Sequence, residues 1–379
     1  MLNRSTNRNL EKSRKNNFIL VNMKKTILII IVAMTAAMTA KAQEALAVLT
    51  HGTTTKTFTG YYALRNAYAS AVDGDLITLS SGTFGATNLA KTITIRGAGM
   101  RYDPTYNTQP TILDGDFSLI VPDASTGNVQ IEGIYHGGII YYNNYTQRSP
   151  KFIKCRLSRF WPGSFTGSDG KNYTGAIKDA QFLHCRISYE VVCNSSSSMT
   201  FINSFVRHPQ TRNKSTSNLT LHNCVVDATY NSNSAIYSNF SYDDGSHYNV
   251  HLYSSSLTNC ILVNTSSYTV YWGSYTSFVK CLLPSNWNPN LSSYWNYSKL
   301  ADIFSTYDGV YGDTQAFLLT DDAKKKYKDE FGREVGLNGG SFPYSYHVAG
   351  PHIKSMQVSP RSTADGKLNI KMQIENTGY

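Results

Sequence analysis

Four basic side chains recur at matching places. Lys154 and His184 each precede a cysteine, and Arg156 and Arg186 each follow it, in Phe152-Ile-Lys-Cys155-Arg-Leu157 and Phe182-Leu-His-Cys185-Arg-Ile187. Stacked, they form a small basic patch suited to an acidic glycan. The alternative is a solvated outer face, where like charges cost little in water. Asp169 and Asp179 are candidate acids near this stretch, but they do not recur in register with each other. Asp243 and Asp244, beside Gly245 and His247, are a further acid pair. Hydrolysis of a glycosidic bond needs two carboxylates about 5–9.5 Å apart; the same sequence is equally a polar turn. Trp161 lies among polar residues in an apparent insertion, where a flat ring stacks on a sugar or covers a core edge. For Trp272, Trp287 and Trp295 we expect the covering role.

The elements that must position these residues follow from a repeat. Phe201-Ile-Asn-Ser204-Phe-Val206, Leu221-His-Asn-Cys224-Val-Val226, Leu257-Thr-Asn-Cys260-Ile-Leu262 and Phe278-Val-Lys-Cys281-Leu-Leu283 continue the two motifs above. The small residues are 30, 19, 20, 36 and 21 positions apart. A period of about 20 residues with strand character and no intervening helix is a solenoid signature. One turn of chain cannot bury its apolar face alone, and stacked turns bury a continuous core. Cys155, Cys185, Ser204, Cys224, Cys260 and Cys281 then form an inward ladder of small residues, the thiols free and buried. Cys193 falls outside the repeat. No tight pair of ligands accompanies the cysteines, so no metal site is expected. Apolar residues flank each small residue three before and two after, so a bend or bulge must fall inside the motif.

The 30-residue gap reads as an insertion near Trp161 to Tyr173. The 36-residue gap holds either a degenerate coil around Ala235-Ile236-Tyr237 or a long loop. Ile95-Arg96-Gly97 and Ile131-Glu132-Gly133 read as earlier members with glycine in the small position. Upstream, Tyr61, Leu64, Ala67, Tyr68 and Ala71 recur at helical spacing within Phe58 to Ala71, predicting a helix that caps one end of the stack. Downstream, Asp321 to Phe331 predicts a short surface helix, and Gly366 to Ile374 alternates as one strand. Such a short terminal strand is a candidate for strand addition by a partner.

Charge narrows the function classes. The chain has 379 residues and a net charge of +10. Residues 1–42 carry eight Lys or Arg and one acid, so the rest is nearly neutral, with 27 basic and 24 acidic side chains. A nucleic-acid binder would show a basic footprint there. Lys24-Lys25, the apolar run from Thr26 to Met38 and Ala40-Lys41-Ala42 read as a signal peptide over residues 23–42. Residues 1–22 are an upstream basic segment, with Met23 the expected start. The mature chain is expected to be exported to the periplasm, the outer cell surface or the medium, with no transmembrane segment.

Asp73-Gly-Asp-Leu-Ile-Thr-Leu-Ser-Ser-Gly-Thr-Phe84, then Lys91-Thr-Ile-Thr-Ile-Arg-Gly-Ala-Gly99 and the repeats, resemble right-handed parallel β-helix proteins of the pectate-lyase-like superfamily. Phe317 to Lys324, Glu334 to Tyr344 and Gly366-Lys-Leu-Asn-Ile-Lys resemble the tail of exported β-helix proteins of Bacteroidetes. The resemblance implies an all-β, right-handed parallel β-helix over residues 43–350 with an N-terminal capping helix, and a short β segment over residues 351–379. It implies a polysaccharide or another cell-surface component as partner, and does not fix an activity, since the fold hosts enzymes, adhesins and scaffolds. A lyase would need a group to neutralise a uronate carboxylate and a base for the neighbouring proton. Only that chemistry would bring in Ca²⁺; otherwise no cofactor is expected. Three expectations stand: binding without turnover, a polysaccharide lyase or glycoside hydrolase, and a structural scaffold or adhesin.

Overall fold

The computed structural model describes residues 45–104, 108–120, 127–143, 149–166, 172–194, 196–211, 217–228, 250–263, 270–273, 275–285, 293–306, 317–347, 350–358 and 370–377. Expectations for residues 1–42, and those for Asp169, Asp243, Asp244 and Trp287, lie outside them. No helix among the described residues is long and apolar enough to cross a membrane.

The chain is an all-β solenoid, a parallel β-helix. Two long sheets carry it: sheet A has eleven strands and sheet B has fourteen, ten of them along its main path and four beside it. Each repeat supplies a short strand to sheet A, a turn, and a strand to sheet B. The register is strict, with Phe152 beside Phe182, Phe182 beside Phe201, and Leu221 and Leu257 continuing the column to Phe278. Phe152 and Phe182 stack at 5.0 Å between centroids, and Phe182 and Phe201 at 4.3 Å. Leu157, Ile187, Val206, Val226 and Leu262 face them from sheet B, all buried.

The odd gap in the motif has a simple cause. The residue between the sheet A strand and the small residue is left-handed in every repeat: Lys154 (φ 51), His184 (φ 53), Asn203 (φ 45), Asn223 (φ 51), Asn259 (φ 55) and Lys280 (φ 49). That single residue turns the chain from one sheet to the next without breaking the stack. The small side chain then points inward beside two carbonyls. Cys185 Sγ donates toward Phe152 O and Leu183 O, and Ser204 Oγ toward Phe182 O and Ile202 O. Cys224, Cys260 and Cys281 repeat the pattern. All six cysteines are free and buried, Cys193 included.

Several details differ from the sequence reading. Gly133 aligns with Lys154 and takes the left-handed turn (φ 60), so the inward place belongs to Ile134. Gly97 is needed for close approach: a Cβ there would lie 2.5 Å from Gly133 O. The expectation at Ala235-Ile236-Tyr237 lies outside the described residues; on either side of it strand Asn218–His222 pairs directly with Ser255–Thr258 and Val225–Asp227 with Ile261–Val263. Trp161 belongs to strand Arg156–Pro162, and the insertion that follows is a hairpin of Ser164–Thr166 with Asn172–Thr174.

At the N-terminal end, Leu46–His51 and Thr54–Thr59 form an antiparallel hairpin on the first strand of sheet A, Leu76–Leu79. Helix α1 (Ala63–Ser70) packs on it through Ala63, Leu64 and Ala67. The helix is shorter than the periodicity predicts because Phe58 is drawn into the hairpin. At the other end, helix α2 (Asp321–Lys326) is capped by Thr320 Oγ1, which accepts from Ala323 N–H at 3.1 Å. Residues around it cover a second apolar core on the outer face of sheet B, where Phe205, Val225, Ile261 and Leu282 meet Phe304, Phe317, Leu319 and Tyr327. Trp295 packs against this core, in the covering role. The C-terminal segment is two strands, Gly350–Val358 and Ile370–Thr377, paired antiparallel.

Candidate functional site

The outer face of sheet B changes character along the solenoid. Its register column runs Tyr135, Arg156, Arg186, Phe205, Val225 and Ile261. The apolar end is covered by the second core. The other end carries cations over rings: the Arg156 guanidinium lies 4.8 Å from the Tyr135 ring centre, and Arg186 lies 4.9 Å from that of Phe205. Arg156 Nε also donates to Ser188 Oγ at 3.4 Å.

Beyond this column the strands bend. The register shifts between Leu157 and Arg159, which re-aims the following residues onto a neighbouring face. There Arg159 lies 4.2 Å from the Tyr189 ring centre and 5.6 Å from that of Trp161, whose register neighbour is Tyr141. Burial and then the charge of Asp116 push the Tyr141 phenol up, while Arg159 pulls it down. Glu190 is the buried register partner of Arg159, and Arg207 Nε stands 3.6 Å from Asp227 Oδ2 with both side chains nearly buried. Arg156 and Arg186 with Tyr135 thus lie before the bend, and Arg159 with Tyr189 and Trp161 beyond it, all half-buried.

The sequence candidates divide. Arg156 and Arg186 belong to the column before the bend and Trp161 to the face beyond it. Lys154 and His184 do not join them as an open patch, because they occupy the left-handed turns and residues 344–347 cover them. Lys154 is 6% exposed and its ammonium donates to His347 O. His184 Nδ1 accepts from Ser345 N–H at 3.0 Å. Burial, aided by the charge of Lys154, lowers His184 to about 4. Asp179 is exposed at a left-handed turn before strand Ala180–Leu183, bonded to Ser198 Oγ at 2.8 Å. The sequence reading missed Arg159, Tyr189 and Glu190. The signal available was the second arginine three residues after Arg156, concealed by the irregular bend.

Among the described residues no group of three His, Cys, Asp or Glu side chains is arranged to hold a metal ion. Comparison with protein-family models, curated proteins and solved structures finds no match to this chain. The fold and this face define a parallel β-helix solenoid with an arginine- and aromatic-lined surface at the bend of one sheet.

Proposed function

We propose that the chain is an exported β-helix protein of pectate-lyase-like, Bacteroidetes type that binds an acidic glycan or another anionic surface component without turning it over. The observation that carries this reading is that three arginines lie over rings on the two sides of the bend of sheet B, Arg156 over Tyr135 and Arg186 over Phe205 before it and Arg159 between Tyr189 and Trp161 beyond it. Arginine offers a planar fork to carboxylate or sulfate groups, and aromatic faces stack on sugar rings.

A polysaccharide lyase is the second reading. It is favoured by one feature, the adjacency of Arg156 and Arg186, which suits charge building on a uronate carboxylate. Incubating residues 43–379 with acidic and neutral polysaccharides, with and without Ca²⁺, separates the accounts. Retention on an acidic polysaccharide with no new reducing ends and no ultraviolet absorbance supports binding. Absorbance of unsaturated products establishes the lyase, and reducing ends alone a hydrolase. Silence on every channel leaves a scaffold.

A further inference from the structure

The left-handed turn residues form a rail, and residues 330–347 descend it one coil after another. Lys280 Nζ lies 3.8 Å from Glu330 Oε2. Gly336 N–H donates to Asn259 O at 2.8 Å, and Gly340 abuts the Asn223 amide. Asn203 Nδ2 donates to Leu337 O at 2.9 Å and Gly339 O at 2.8 Å. Ser345 then meets His184, and His347 meets Lys154. The order is broadly that of the coils read backwards, with the contacts of Asn223 and Asn203 overlapping at residues 337–340.

Residues 335–340 of this strap and residues 344–347 are held by different physics. Val335 and Leu337 are buried in the second core, and their neighbours bond to neutral amides. Residues 344–347 are instead held by ionisable groups. His184 stacks on Tyr344 at 6.2 Å and accepts from Ser345 N–H. Arg101 lies 3.3 Å from the Tyr346 ring centre, and His347 Nδ1 lies 2.7 Å from Asp103 Oδ2.

We propose that residues 344–347 are an acid-released latch, docked while His184 is neutral and freed from the rail when that ring gains a proton, with the strap above it staying in place. The acceptor role of Nδ1 requires a ring nitrogen without hydrogen, and an imidazolium has none. The groups facing His184 do not offset its charge. Lys154, on the preceding coil, is a cation; Asn203, on the following coil, is neutral; the strap presents a backbone N–H and the Tyr344 ring. Glu132 acts on Lys154, raising it against the burial that lowers it. The other titratable groups at the latch are His347 and Asp103, which contact each other and not His184.

The sign follows from linkage. His184 is lowered from 6.5 to about 4 in the docked state. The released state therefore binds more protons between those values, and docking weakens as pH falls through that window. The full effect is at most about 300-fold in the docking equilibrium.

The test is hydrogen exchange of the Ser345 amide in the purified protein from pH 7 to pH 4, divided at each pH by exchange of a free peptide spanning 341–349. The latch predicts that protection of Ser345 falls by up to about 300-fold, while the Phe205 amide, bonded to Cys185 O, keeps its protection. In His184→Gln, which retains an acceptor and does not titrate, Ser345 stays protected throughout. An unchanged Ser345 profile in the parent protein overturns the proposal. So does an equal loss in His184→Gln, or simultaneous loss at Phe205, which would mean that the coils and not the latch respond.

Discussion

Arg156 and Arg186 are register partners on adjacent coils, yet their guanidinium groups lie over rings on opposite sides, Arg156 over Tyr135 and Arg186 over Phe205. Two like charges about 4.8 Å apart along the stack would ordinarily repel. Each is accommodated by the face of a neighbouring ring. Arg186 also marks a border: Phe205 on its far side already belongs to the covered apolar core.

The arginines should therefore govern retention of an acidic polysaccharide and contribute little to folding. Arg156→Ala and Arg186→Ala are each expected to weaken retention about tenfold, as for loss of one charge-assisted contact. Arg156→Lys should recover only part, because a point charge lacks the planar fork. Raising salt from 50 to 500 mM should weaken the parent more than either variant. Retention on an immobilised acidic polysaccharide, with urea unfolding as the folding control, reads all three.

The thiol ladder leads to a second expectation. Burial pushes Cys193 up to about 12 and Cys260 and Cys281 well above the ordinary thiol value. A thiol reagent should leave all six cysteines unmodified in the native protein and react only as the chain unfolds. Cys185→Ser should be tolerated, since Ser204 already holds that place in the column. Cys185→Leu adds volume to a close-packed position and should cost about 1–3 kcal/mol in urea unfolding.

Asn203 combines a left-handed turn with two bonds to the strap. Asn203→Ala should cost about 2 kcal/mol, from strain at positive φ together with the lost bonds. Asn203→Gly relieves the strain and isolates the bonds, so it should lie about 1 kcal/mol above the alanine variant. The urea midpoints of the two variants, compared with the parent, test that order.

The repeat was legible because one apolar column and one small column recur in register, and stacking at fixed spacing turns that recurrence into a solenoid. The left-handed turn was legible as an odd gap only. Its occupants are Lys, His and Asn, which read as surface residues until the strap that covers them is placed. Nothing local to Lys154 reveals His347, almost 200 positions away in the sequence. Gly97 and Gly133 were misaligned by one residue because glycine suits both a crowded position and a left-handed one. The bend that gathers Arg159, Tyr189 and Glu190 depends on a register shift, and alternation across a strand gives no warning of one.

Acid stability gives the last test. Burial lowers His136 and His222, as it does His184, with partial opposition from Gly115 O and nearby carboxylates at His136. All three are ordinary histidines in the unfolded chain, with values near 6.5. Unfolding therefore takes up protons as pH falls below about 6.5, and the native state loses stability in that direction. Their contribution is complete above about pH 7 and declines from there toward pH 4. Urea midpoints measured from pH 8 to pH 4 should be flat with respect to these groups at the upper end and fall at the lower. His184→Gln should reduce the slope near pH 5 by about 1.4 kcal/mol per pH unit, the value for one proton. An unchanged slope in that variant would mean that His184 is as readily protonated in the native state as in the unfolded chain, and its burial beneath Tyr344 and Ser345 would then carry no energetic weight.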